Sequence, residues 1–192
     1  MMEQLISKTK IRLPDSSTFY RYDRAEQVYA RLSSARIPVA DAILMLLYAH
    51  SDKHIYGRTS LMKQVFLLVN EILGKERVQD PRYVKHRYGM YSFSVANSIS
   101  TLEFAGFITR QGRKNTNIER FMISNKGINY IAPIFAKLPR SVQEAIREKR
   151  KGWDQLGYDG ILRYVYHKYP KYRDTSVLKN RYAPIVWGKG IG

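Results

Sequence analysis

Four cations stand on a short stretch that reads as a hairpin: Arg110, Arg113, Lys114 and Arg120, with Asn115 and Asn117 between them and Glu119 as its one acid. Guanidinium and ammonium groups around a Gly/Asn loop are suited to phosphate oxygens, which they meet through charge-assisted hydrogen bonds. Just upstream, Ser92, Ser94, Asn97, Ser98 and Thr101 offer hydroxyl and amide groups, most of them at helical spacing. Asn pairs bidentately with adenine, and Ser or Thr reaches either base type or a phosphate. No Arg or Lys lies on that segment, so the guanidinium-to-guanine contact is missing there, and a solvated polar face is the competing reading. A second set of cations and aromatics follows: Arg147, Lys149, Arg150 and Lys151, then Tyr166, Lys168, Lys171 and Arg173. Such mixtures stack on unpaired bases. Ile161, Leu162, Val165 and Tyr169 have the spacing of a buried helix face, which makes core the competing role for part of this set.

Catalytic chemistry finds little to work with. His50 and His54 are four residues apart, but Ser51-Asp52-Lys53 between them reads as a helix ending, and there is no cysteine to complete a metal site. Glu144 and Glu148 sit among cations and read as a helix cap and an i,i+4 partner. Gly57-Arg58-Thr59-Ser60 lacks the lysine of a phosphate-binding loop. The expectation is a non-enzyme with no metal and no cofactor.

These groups need elements to hold them. Ala25, Val28, Tyr29 and Leu32 predict a helix over about 23–33. Pro38 precedes a helix over 39–50 that is apolar on most sides and therefore central. Thr59 or Ser60 is expected to cap a third helix running to Leu73. Residues 83–88 alternate as an edge strand ended by Gly89. Ser92 is expected to cap a helix over 93–105 that Gly106 terminates. Residues 107–111 and 120–124 then form the hairpin. Asn125 opens a helix that Pro133 is expected to break or kink. Ser141 and Glu144 have capping-box spacing for a helix over 142–152, and Asp159 is expected to cap a last helix over 160–169.

The 192 residues carry 33 Lys and Arg against 16 Asp and Glu, a formal charge of +17. The excess is graded along the chain: +2 over residues 1–50, +4 over 51–110 and +11 over 111–192. A charge of this size favours a polyanionic partner, nucleic acid first and an anionic membrane second. The longest apolar run, residues 42–49 (AILMLLYA), is too short to span a bilayer. The first ten residues lack the apolar stretch of a secretion signal. A cytoplasmic location is expected, at the nucleoid if the partner is DNA.

The order of elements, core helix, short helix, strand, helix, basic hairpin, is that of a winged helix-turn-helix. The expected class is α+β and mostly helical, with an N-terminal segment (1–37), a winged-helix domain (38–138) and a basic, Tyr-rich extension (139–192). Within it, Gly57-Arg58-x-x-Leu61-x-Lys63-x-x-Phe66-Leu67, Tyr88-Gly89-x-Tyr91-Ser92-x-x-Val95 and Leu102-x-x-x-Gly106-x-Ile108 resemble a prokaryotic winged-helix group. That group includes YwgA-like proteins and is similar to Panacea antitoxin-like domains, with archaeal members common. Leu162-Arg163-Tyr164-Val165-Tyr166-x-x-Tyr169-Pro170 resembles the helix that follows the wing there, so the resemblance covers about residues 40–172. The chain departs from it at Met62 and Met90, where the group often has Gln and Pro, and at Pro133. Duplex DNA binding in transcriptional control or chromatin association is the expectation, with a homodimer by analogy. An RNA-binding or ribosome-associated protein and an antitoxin-like interaction module are the rivals.

Overall fold

A computed structural model describes residues 10–12, 18–20, 36–86, 89–114, 116 and 118–172. The helix expected over 23–33, Arg173 and the rest of the tail lie outside the described residues. The class is α+β and mostly helical. In chain order the elements are β1 (Lys10–Arg12), β2 (Thr18–Tyr20), α1 (Val39–Tyr48), β3 (Ile55–Tyr56), α2 (Arg58–Leu68) with a π-helical turn (Val69–Leu73), β4 (Val84–His86), β5 (Gly89–Tyr91), α3 (Phe93–Phe104), β6 (Ile108–Gln111), β7 (Arg120–Ile123), α4 (Asn125–Ala136), α5 (Arg140–Lys168) and a 3₁₀ turn (Pro170–Tyr172).

The helix with apolar residues on most sides takes the centre. Ala42 through Leu47 of α1 are essentially without solvent contact, and α1 packs on α2, α3, α4 and α5. Three strands form one antiparallel sheet in the order β3-β7-β6. Ile55 pairs with Phe121 and Tyr56 with Arg120 on one side of β7, and Arg110 faces Phe121 on the other. The apolar residues of α5 (Ile146, Trp153, Ile161, Leu162, Val165) enter the same core cluster as those of α1 and α2.

Several local expectations give way to tertiary constraints. Helix α2 starts at Arg58, with Gly57 rather than Thr59 or Ser60 in the capping position. The Gly57 N–H donates to the Glu119 carbonyl at 2.6 Å, so the β3 pairing runs directly into the helix. Gly89 does not end a strand; it opens β5, which pairs back on β4 with His86 opposite Gly89. Its φ of +83° and the Tyr166 ring, 2.6 Å from where a Cβ would stand, both demand glycine. Pro133 does not break α4. It is exposed, the carbonyl it deprives belongs to exposed Asn129, and buried Ile131 and Phe135 hold the helix on either side. Ser141 caps nothing, because α5 begins at Arg140 after Pro139, two residues before the expected start, and Glu144 instead pairs with Arg140 at 3.0 Å. The two helices expected over 142–152 and 160–169 form one long element interrupted at Gly157, where φ is +63° and ψ −170°.

Candidate nucleic-acid interface

Helix α3 is held from its base. The Ser92 Oγ accepts from the Val95 N–H at 3.0 Å and donates to the Pro81 carbonyl, and Val95, Ile99 and Leu102 are buried beneath it. At the far end Gly106, at φ +75°, turns the chain into β6. The Phe107 N–H closes the turn on the Leu102 carbonyl at 2.9 Å, so α3 and the β6–β7 hairpin are joined with almost no slack. Arg110 adds a side-chain tie, its Nε donating to Glu103 Oε1 at 2.7 Å.

Facing outward, Ser94, Asn97, Ser98 and Thr101 follow one another at i, i+3, i+4, i+7 along one stripe of α3. Asn97 and Thr101 are exposed, Ser94 and Ser98 half-buried. Ser92 does not join them. It has no solvent exposure and its hydroxyl is spent on the helix cap, which removes it from any surface contact.

The hairpin tip carries two cations outward. Arg113 and Lys114 are exposed and form no ion pair among the described residues. The turn beneath them is fixed by the Thr116 Oγ1, which donates to the Arg113 carbonyl at 2.6 Å, and by Gly112, where any Cβ would run into the Ile118 carbonyl. Arg110 and Arg120 behave differently. Arg110 lies 2.7 Å from Glu103 and 3.9 Å from the fully buried carboxylate of Glu119, which also faces Arg58 at 3.8 Å. Its charge is neutralised within the fold, which corrects its assignment as a free phosphate ligand. Arg120 is half-buried on β7 opposite Tyr56, and its charge adds to burial in holding His54 below the usual histidine value.

The described residues of the second cationic set do not all face solvent. Arg150 is fully buried, paired with Asp154, and its Nη2 donates to the Lys53 carbonyl at 3.3 Å. Tyr166 is also fully buried, lying against Gly89. Both are structural residues. Lys168 sits 3.0 Å from Glu71 and donates to the Tyr164 hydroxyl at 3.1 Å, and these partners raise its pKa. Arg147 and Lys151 are exposed one turn apart, while Lys149 projects from nearly the opposite side of α5. Arg147 lies over the Phe135 ring at 4.9 Å and Lys171 over Tyr172 at 5.0 Å.

Comparison with protein-family models and with curated proteins finds no match to this chain. The functional reading therefore rests on the chain's own geometry. Two features of it escaped the sequence. Glu119, the one acid among the hairpin cations, is fully buried and lies between Arg58 and Arg110. Phe93 and Phe104, 63% and 95% exposed, sit almost in line along α3, eleven residues or about three turns apart. Their exposure was not predictable, because either would pass for a core residue by type. Among the described residues no helix is long and apolar enough to cross a membrane.

Proposed function

We propose that this chain binds duplex DNA through a winged-helix arrangement, with α3 in the major groove and the β6–β7 hairpin as a wing on the phosphate backbone. The observation that carries the reading is the junction just described. A short helix with an exposed amide-and-hydroxyl stripe is joined by one tight turn to a hairpin whose tip presents Arg113 and Lys114. The order α1-β3-α2-α3-β6-β7, with the first strand paired to the last, supports the winged-helix assignment. The chain charge of +17 supports a polyanionic partner. In this reading Arg113 and Lys114 position the protein without reading sequence, while Asn97 and Thr101, flanked by Ser94 and Ser98, meet base edges. Transcriptional control or chromatin association is the role that follows.

A second reading has its own observation. The exposed phenylalanines on α3 are unusual on a helix meant for a hydrated groove, and they suit a protein partner of the antitoxin-like kind. Fluorescence anisotropy with random duplex DNA, single-stranded DNA and structured RNA, each over a salt series, separates the readings. The proposal predicts tightest binding to duplex with a steep salt slope. Preference for RNA, or no binding to any of the three at near-physiological salt, contradicts it.

A further inference from the structure

Phe93 is the first residue of α3, and 63% of it is exposed. It does not stand loose. Its ring packs edge-on against Tyr91 with centroids 5.0 Å apart, and Tyr91 rests in turn against His86 at 4.8 Å. The backbone on either side is anchored, because Ser92 caps the helix from a buried position and Val95 is buried below it. An apolar ring is thus held at a fixed place on the helix end while most of its surface stays open.

Its surroundings decide what it can meet. A helix that docks in an apolar protein groove repeats its anchors at i, i+3, i+4 and i+7. After Phe93 those positions hold Ala96, which is buried, then Asn97 and Ser100, so no such series exists. Phe104, the other exposed ring of α3, is about 16 Å further along the axis. Free negative charge is also missing from the helix: Glu103 is the one carboxylate of α3, and Arg110 takes it at 2.7 Å. Arg113, Lys114 and Lys126, all exposed, lie on the segments that follow the helix. A single ring among amide and hydroxyl groups, beside cations and without a free carboxylate, suits a nucleic-acid groove better than an apolar protein surface. In the major groove the apolar group on offer is the 5-methyl of thymine, and phenylalanine is among the side chains that meet it. Asn97 lies one turn from Phe93, about 40° round the helix and about 6 Å along it. That advance is less than two base steps of about 3.4 Å each.

We propose that Phe93 is a specificity-determining residue, packing on the 5-methyl group of a thymine within two base pairs of the adenine that Asn97 meets. This inference rests on the duplex reading above and adds a second base-reading contact to it. The pair selects neighbouring A·T base pairs, with hydrogen bonds from the amide and apolar contact from the ring. Phe104 has no part in it, because the N-terminal residues of a recognition helix are those that reach base edges.

The test uses uracil, which lacks the 5-methyl group and keeps the hydrogen-bonding atoms of thymine. The tightest duplex recovered from a random-sequence pool is made with thymine or with uracil throughout. Anisotropy then compares the two duplexes on the full native chain, on Phe93→Ala and on Phe104→Ala. The native chain is expected to bind the uracil duplex about fourfold more weakly, the effect of one buried methyl. Phe93→Ala is expected to bind the thymine duplex about fourfold or more below the native chain and to make no distinction between the two duplexes. Its salt slope stays unchanged. Phe104→Ala keeps the native response to uracil. The comparison on the native chain needs no variant, so it stands even if a substitution disturbs folding. Equal affinity of the native chain for both duplexes, with duplex binding and its salt slope intact, overturns this inference and leaves the DNA reading in place. A uracil penalty that persists in Phe93→Ala also overturns it. Absence of duplex binding overturns both.

Discussion

Lys63 makes the folded state sensitive to pH in a way that few lysines do. Burial pushes its pKa down to about 7 from the usual 10.5. Between those values the unfolded chain holds the proton and the folded chain does not, so stability rises with pH across that window. Lys63→Met is expected to abolish the rise, read as urea midpoints at pH 7 and pH 9.5. Equal pH dependence in the two proteins would contradict this. Arg150 makes the converse point: a cation that looks available in sequence is committed to the interior. Arg150→Ala removes one of the partners of Asp154, which His50 also contacts at 2.7 Å, and the donor to the Lys53 carbonyl, and is expected to cost about 3 kcal/mol of stability by chemical denaturation. DNA affinity of the folded fraction is expected to stay unchanged. At this scale solvent exposure was legible where a residue's type and its local spacing agree, as for Asn97, Thr101, Arg113 and Lys114. It was not legible where a distant partner decides. Glu119 neutralises Arg110 from nine residues away, and the Arg150 donor bond reaches back 97 residues to Lys53.

Among the elements, α3 is the one whose position matters most, and its N-terminal cap fixes it. Ser92→Ala removes the acceptor for the Val95 N–H and leaves the Pro81 carbonyl without that donor. A loss of about 2 kcal/mol is expected in thermal or urea unfolding, against a few tenths for a surface serine such as Ser100. Asn97→Ala leaves stability nearly intact. It is expected to flatten discrimination between duplex sequences without altering the salt slope, as read by anisotropy on a duplex panel. Helices α1 and α3 and the β6–β7 hairpin were readable because period, cap and turn residues all point the same way. Strand β3 was not, whereas the edge strand expected over 83–88 is present as β4. Ile55 and Tyr56 are too few to show alternation, and they become a strand only because Phe121 and Arg120 lie opposite them. Capping signals misled for a related reason. Ser141 and Thr59 have suitable side chains, but Pro139 and the β3 pairing start the helices earlier, and a start fixed by the backbone overrides a favourable cap.

For the whole molecule, the question is where the charge acts. The +11 carried by residues 111–192 pointed to the C-terminal two-fifths of the chain as the place where a polyanion would bind. Instead α5 is folded into the core beside α2, with Arg150 turned inward, Lys168 bound to Glu71, and the exposed cations Arg147, Lys149 and Lys151 divided between two sides of the helix. Composition records how many charges there are, whereas packing decides which of them meet a partner. Among the cations predicted on the hairpin, two remain exposed and without an ion pair among the described residues, and they are adjacent. The direct measurement is the salt dependence of duplex DNA affinity for the native chain and for Arg113→Ala/Lys114→Ala. Each lost phosphate contact lowers the slope of log K against log salt by about 0.9, so the double variant is expected to show a slope shallower by about 2, with affinity reduced for all duplex sequences alike. An unchanged slope and affinity would mean that the hairpin tip does not touch the phosphate backbone, and the winged-helix reading of this interface would fail.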